Sequence, residues 1–161
     1  MTRTAPFKLA ALVACAIVAA CSSAPPRFSL DNEILDATFA CPSGSQNTPY
    51  PLHASLQAHN PTSSAVTIQG VTAQLKLQAI KGPWLEKIGA TYDAGAATFT
   101  PASVPAGANV SIKVTITSAC TSDKSILAPL SYGEYVVDLS VTTSSGTYTV
   151  TSKNRHRIVA T

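Results

Sequence analysis

Three histidines and eight acidic residues are the side chains with which this sequence could perform acid–base chemistry or bind a metal ion. His53 and His59 lie on the same side of an alternating segment, but six residues separate them, which is about 20 Å along a strand. They therefore cannot bind one ion together. His156 has no acidic neighbour in sequence to orient it for catalysis. We expect surface histidines at 53 and 59, and we predict no metal and no cofactor.

Known catalytic motifs are missing from the sequence. It contains no GxSxG nucleophile elbow, no glycine-rich phosphate loop, no HExxH and no EF-hand loop. We therefore predict that the protein is not an enzyme. The alternative is a catalytic site built from distant loops, which would bring His53, His156, Asp93 or Asp123 into one cleft.

The N-terminal segment has the pattern of an export signal. "MTRTAPFK" carries Arg3 and Lys8 and no acid, and "LAALVACAIVAA" follows as an uncharged apolar stretch. A helix of about twelve residues reaches only ~18 Å, too short for the ~30 Å of a bilayer core. Residues 1–20 are therefore predicted to be a signal peptide and not a membrane-spanning anchor.

The residues at the end of this segment, Val18-Ala19-Ala20-Cys21, are followed at once by polar "SSAPP". This run resembles the lipobox of bacterial lipoproteins. The resemblance implies that Cys21 carries a diacylglycerol thioether, begins the mature chain and attaches it to a membrane. Ser22 in place of Asp implies the outer membrane, if the organism has one. Two alternatives are an earlier box ending at Cys15, with a shorter apolar stretch before it, and ordinary cleavage that leaves Cys21 as a thiol.

With Cys15 removed and Cys21 acylated, Cys41 and Cys120 are the remaining thiols in an oxidising compartment. We predict that they form a disulfide. The formal charge of +3 includes Arg3 and Lys8, so nine basic residues remain against eight acids once the signal is removed. A nearly neutral domain is not expected to bind nucleic acid.

From Phe28 onward, apolar and polar residues alternate over segments of five to ten residues that end at Gly, Pro, Asn or Ser. "YGEYVVDLSVTTSSGTYTVTSKNRHRIV" predicts two long strands joined at "SSG". The parity of buried positions changes at Gly70, which indicates a bulge or a crossing between sheets. The sequence predicts an all-β, antiparallel β-sandwich of about seven to nine strands. We assign residues 21–33 to the lipidated cysteine and its tether, and residues 34–161 to the sandwich.

The stretch "LSYGEYVVDLSV" resembles the strand-F region of immunoglobulin-like sandwiches. The resemblance implies that Tyr135 fixes a corner by hydrogen bonding back to the chain. The sequence departs from the antibody pattern because Val137 stands where a cysteine is expected. The resemblance therefore concerns architecture and not function.

Two features are candidate partner contacts. Trp84, in "GPWLEKIG", would either contact a partner or cap one end of the sandwich. Lys153, Arg155 and Arg157 alternate, so they would share one face of a strand. Such a face would either attract anionic headgroups or cell-wall polymer, or protect a strand edge from aggregation.

Together these observations predict a membrane-tethered extracytoplasmic lipoprotein of the cell envelope, a non-catalytic binding or structural module. Its expected partners are the membrane, through the lipid, and an envelope protein or cell-wall polymer. The alternative is an envelope enzyme, or the accessory subunit of one, with a site built from loops. An apolar patch around Trp84 would favour the binding module. The oligomeric state is not predicted.

Overall fold

The computed structural model describes residues 25–161 except 124, 126, 128 and 129. The predicted signal peptide and Cys21 lie outside this range. The described residues form eleven strands and no helix. The strands are β1 (Ser29–Leu35), β2 (Thr38–Cys41), β3 (Thr48–His59), β4 (Val66–Lys81), β5 (Thr91–Ala96), β6 (Thr98–Thr100), β7 (Ser103–Val104), β8 (Asn109–Cys120), β9 (Tyr132–Thr143), β10 (Gly146–Thr151) and β11 (His156–Ala160).

Alternation of apolar and polar residues explains the long strands. In β8, Ile112, Val114 and Ile116 are buried, while the residues between them point outward. Branched side chains of this kind pack well on a pleated surface that is buried on one side. β3, β4 and β9 show the same pattern and contribute to the same core.

The strands form two sheets that enclose this core. One sheet has four strands in the order β1-β3-β8-β6, and the other has seven. In the larger sheet the order is β2-β11-β9-β4-β5, with β10 also paired to β9 and β7 to β4. The all-β, sandwich-like prediction is therefore confirmed, although the count of strands exceeds the expected seven to nine. Short strands where the chain crosses between the sheets account for the difference.

The first crossing places β1 in the small sheet and β2 in the large one. β2 pairs in parallel with β11, whereas the other described strand pairs are antiparallel. β1 begins at Ser29, within the range that the sequence assigned to the tether. In the described part, the unpaired N-terminal stretch is 25–28.

β1 contains a bulge that reverses its burial pattern. Two residues of β1 stand between Asp31 and Ile34, whereas only Leu56 stands between their partners Gln57 and Ser55, so the register shifts there. Phe28 is buried before the bulge, and Glu33 and Leu35 are buried after it. As a result Glu33 has no exposed surface, while Ile34 is 50% exposed.

The predicted hairpin is present, but its second strand is interrupted. β9 and β10 pair from Gly146↔Thr143 to Thr151↔Asp138. Residues 152–155 then leave the ladder, and β11 pairs with the first part of β9 from His156↔Tyr135 onward. The expected single strand through residue 159 is therefore two strands. At Gly70 the register of β4 with β9 shifts within one sheet, so this position is a bulge and not a crossing.

Cys41 and Cys120 form the predicted disulfide, with a distance of 6.0 Å between their Cα atoms. Cys41 ends β2 in the large sheet, and Cys120 ends β8 in the small one. The bond therefore joins the two sheets covalently at one end of the sandwich.

Candidate functional site

The two ends of the sandwich differ in composition. The N-terminal pole contains Phe28, where the chain enters, and the turns 60–65 and 144–145. The opposite end, which we call the distal pole, contains the disulfide, the loop 82–90 and the turn before β9. The candidate site lies at the distal pole.

Trp84 lies on the inner face of the large sheet at this pole. Its indole ring covers Gly133, where an added Cβ would come within 2.7 Å of the ring. The indole Nε1–H donates to Tyr135 Oη at 3.1 Å, and Tyr135 in turn donates to Glu86 Oε2 at 2.9 Å. Burial raises the pKa of Tyr135, so its hydroxyl stays protonated. These bonds attach the loop to β9.

Two of the sequence-based expectations concern these residues. Tyr135 does fix a piece of chain, but it bonds the side chains of Trp84 and Glu86, and the expected corner bond is not seen in the described hydrogen bonds. Trp84 is half-buried and packs against the core, so it caps the distal end of the sandwich. The cap leaves its neighbours in the loop exposed.

Large apolar side chains are exposed at the distal pole, in or near the loop that carries Trp84, and we call them the apolar patch. Ile88 is 61% exposed and Leu130 is 71% exposed. The patch consists of Ile80, Leu85, Ile88, Tyr92 and Leu130. Five of the six exposed large apolar residues in the described part of the chain are therefore at this pole, the sixth being Ile34.

Several contacts place members of the patch near Trp84 or its loop. Ile80 pairs with Gly133 and thus shares a face with the ring of Trp84. Leu85 and Tyr92 line one cleft of about 110 Å³ with Trp84. A Cβ at Gly82 would meet the side chain of Ser131, so the segment that carries Leu130 lies against the loop. Exposed apolar surface of this kind is typical of a site that contacts another molecule.

The predicted cationic face is largely neutralised within the domain. Arg155 and Arg157 both form ion pairs with Glu134. The distance is 2.9 Å from Arg155 Nη1 to Oε2 and 2.5 Å from Arg157 Nη2 to Oε1. Hydrogen bonds from Arg157 and Arg155 lower the pKa of Glu134. Arg157 also lies over the ring of Tyr132, 4.2 Å from its centre. Lys153 lies in the turn before β11 and not on a strand. The three cations therefore do not form one row on a strand face.

The histidines occupy three different environments. His59 is exposed and bonds Asn109, whereas His156 is buried. Because a backbone carbonyl can only accept, the ring of His156 donates from Nδ1 to Asp36 O at 2.7 Å, and Nε2 accepts from Tyr50 at 2.8 Å. Burial lowers the pKa of His156, which keeps the ring neutral.

His53 is exposed as expected, but it has a partner that the sequence did not reveal. Asp36 Oδ2 accepts from His53 Nδ1 at 2.8 Å and from the His53 backbone at 3.0 Å. Partial burial raises the pKa of Asp36, but these hydrogen bonds from His53 lower it by more, so the net shift is downward. Asp36 therefore contacts two histidines, one with its carboxylate and one with its carbonyl.

Asp93 and Asp123 do not join this pair in the described contacts. Each accepts hydrogen bonds from a residue two positions further on, Gly95 and Ser125 respectively. Across the described ranges, no group of three or more His, Cys, Asp or Glu side chains is placed to hold a metal ion. The same part of the chain contains no helix long and apolar enough to cross a membrane.

No protein-family model matches the sequence, and no curated protein matches it. Solved structures similar to the chain include a putative late embryogenesis abundant protein, 16% identical with a TM-score of 0.35, over 84% of this chain and 71% of that one. PapD-like domain 7 of human CEP192 is 11% identical with a TM-score of 0.30, over 92% of this chain and 96% of that domain. The Vibrio cholerae VesB protease is 14% identical with a TM-score of 0.30 over 82% of this chain, which spans 31% of the protease. These likenesses are too weak to assign a function.

Proposed function

We propose that the protein is a membrane-tethered lipoprotein of the cell envelope that acts as a non-catalytic binding module. The observation that carries the proposal is the apolar patch at the pole opposite the N-terminal segment. A soluble domain gains nothing from exposing such side chains together unless another surface covers them. The patch therefore supports a site of protein–protein contact.

The path of the chain supports an orientation for this module. Phe28 packs against Tyr148 at the N-terminal pole, with ring centres 5.2 Å apart. A strand of twelve residues such as β8 spans about 40 Å, which separates this pole from the patch. From Cys21 to Phe28 an extended chain reaches at most about 25 Å. A lipid on Cys21 would thus attach the domain at the pole opposite the patch.

The contacts of the polar side chains support a role without catalysis. Both ring nitrogens of His156 form hydrogen bonds within the fold, and Arg155 and Arg157 both pair with the carboxylate of Glu134. Trp84 and Tyr135 hold the loop rigidly, which reduces the entropy lost when a partner binds.

Site-specific photocrosslinking in intact cells tests the binding role. A photoreactive residue at Ile88 should crosslink to one envelope protein, and Leu130→Glu in the same chain should abolish that product. The matched control is Thr117, which is exposed on the outer face of β8 and should give no such product. Equal products at Ile88 and Thr117, or none at Ile88, would contradict the proposal.

Membrane attachment is tested separately. Cys21→Ser should move the protein from the membrane fraction to the soluble fraction, because the substituted side chain cannot carry the thioether. Retention at the wild-type level would refute lipidation and leave the result at Ile88 unaffected.

A further inference from the structure

The outer face of the four-stranded sheet carries a second recessed surface, on a different side of the molecule from the apolar patch. A cavity of about 540 Å³ crosses all four strands of this sheet, and we call it the trough. Its lining comes from β1, β3, β6 and β8 together with Asp36, which follows β1. Neither the lipid anchor nor the apolar patch involves these residues.

Strand register places the side chains of the trough in two rows. Residues directly opposite each other in an antiparallel pair lie on the same face. In the first row Ile34 is opposite Ser55, Ser55 is opposite Lys113, and Lys113 is opposite Thr100.

The second row begins at His53, which is opposite Thr115, and Thr115 is opposite Thr98. Ser55 and Thr115 are half-buried, whereas His53 and Lys113 on the same central strands are exposed, as are the residues on the edge strands. The hydroxyl groups of Ser55 and Thr115 thus form the floor of the trough, and longer side chains rise beside them.

The Asp36–His53 pair gives one side of the trough a fixed hydrogen-bonding geometry. Because a carboxylate can only accept, His53 Nδ1 carries the proton in the 2.8 Å bond to Asp36. In the neutral ring the other nitrogen, Nε2, is then an acceptor. Lys113, one strand further, supplies donors, and the hydroxyls of Thr98, Thr100 and Thr115 can both donate and accept.

We propose that the trough binds a saccharide chain. Sugar hydroxyls both donate and accept, as do the hydroxyls of the trough, and the carboxylate of Asp36 balances the ammonium of Lys113, so the lining suits an uncharged ligand. The exposed side chain of Ile34 and the threonine methyl groups provide apolar contacts for the C–H faces of a sugar ring. A trough that crosses a whole sheet suits a chain-like ligand better than a compact one.

Other ligand classes fit the lining less well. A strongly anionic ligand would meet Lys113 but also the carboxylate of Asp36, which repels it. A purely apolar ligand would cover the apolar part of the lining, but it would also remove water from Asp36, His53 and Lys113 without replacing their hydrogen bonds, which is unfavourable.

Binding is tested first with the full chain, as produced by the cell, on an array of oligosaccharides from cell-wall, capsular and storage polysaccharides. The oligosaccharide that binds most tightly is then titrated by calorimetry into the wild type and two variants. Thr115→Val removes a hydroxyl from the floor of the trough with little change in shape. Thr117→Val makes the same change two residues along the same face of β8, outside the trough.

We expect Thr115→Val to weaken binding about tenfold, because a sugar hydroxyl loses its partner, and Thr117→Val to bind like the wild type. Lys113→Gln should weaken binding as well. Absence of binding across the array would overturn the proposal, as would equal affinities of the Thr115 and Thr117 variants. Displacement of the oligosaccharide by inorganic phosphate would also overturn it, since that result identifies an anion site on Lys113.

Discussion

Glu33→Gln should make the protein more stable at alkaline pH than the wild type. Glu33 has no exposed surface, and neither oxygen of its carboxyl has a hydrogen-bond partner within the described part of the chain. Burial raises the pKa of Glu33 to about 8, and the negative charge of Asp138 contributes in the same direction. The folded protein therefore keeps a neutral carboxyl where the unfolded chain has an ionised one.

The size of the effect follows from the difference between the two states. The ordinary pKa of 4.5 applies to the unfolded chain, and about 8 applies to the folded protein. Below pH 4.5 both states hold the proton, and above about pH 8 both have lost it. Between these values only the folded state binds the proton, so the free energy of unfolding falls by about 1.36 kcal/mol per pH unit. Between pH 5 and pH 8 the wild type should lose about 4 kcal/mol that the Gln variant keeps.

Denaturant unfolding of both proteins, followed by the fluorescence of Trp84 between pH 5 and pH 9, measures this difference. Subtracting one stability profile from the other removes the titration of other groups and any constant cost of a buried amide. Asp31→Asn is the control, because Asp31 is exposed on the same strand. If the Glu33→Gln difference is constant with pH to within about 1 kcal/mol, the account of Glu33 as a buried neutral acid is wrong.

Three further predictions concern the core and the disulfide. Gly133→Ala should destabilise the fold by about 1–3 kcal/mol, since its Cβ would lie 2.7 Å from the indole of Trp84, and the emission of that single tryptophan should shift. Replacing Cys41 and Cys120 together by Ala should lower the free energy of unfolding by about 4 kcal/mol for a separation of 79 residues, measured by denaturant unfolding; an unchanged midpoint would contradict it. Burial lowers the pKa of His156, so the unfolded chain binds a proton more readily than the folded protein. The free energy of unfolding should therefore fall as the pH drops below about 6.5. His156→Gln should show a smaller fall between pH 7 and pH 5 in the same denaturant assay.

The alternation of apolar residues was sufficient to predict the long strands, because the residues concerned lie on strands with one buried face. The hairpin of β9 and β10 followed from similarly local evidence, whereas the disulfide followed from the count of cysteines that remain after the signal. The bulge of β1 could not be predicted from alternation, because it reverses the pattern, so that a charged residue, Glu33, is buried and the adjacent Ile34 is exposed. No count of hydrophobic positions detects such a shift.

The candidate sites were predictable to different degrees. The loop of Trp84 was recognised from its composition. The exposed position of Leu130 could not be, because it depends on tertiary packing and on the backbone of Leu130 itself, which has a φ of 64°. The pairing of Asp36 with His53 joins the residue after β1 to the adjacent strand, 17 positions along the chain. The trough depends on register across four strands, which the alternation within one strand does not determine.

The disulfide also limits how far the chain can be extended by force. A pull on the N-terminal segment acts along β1, so its hydrogen bonds to β3 are loaded in shear. If they break, extension stops at Cys41, because its sulfur is bound to the end of β8. The sixteen described residues from 25 to 40 could then lengthen to about 55 Å, while the rest of the sandwich remains intact. In its oxidised form the protein thus has a mechanical stop between its N-terminal end and the distal pole.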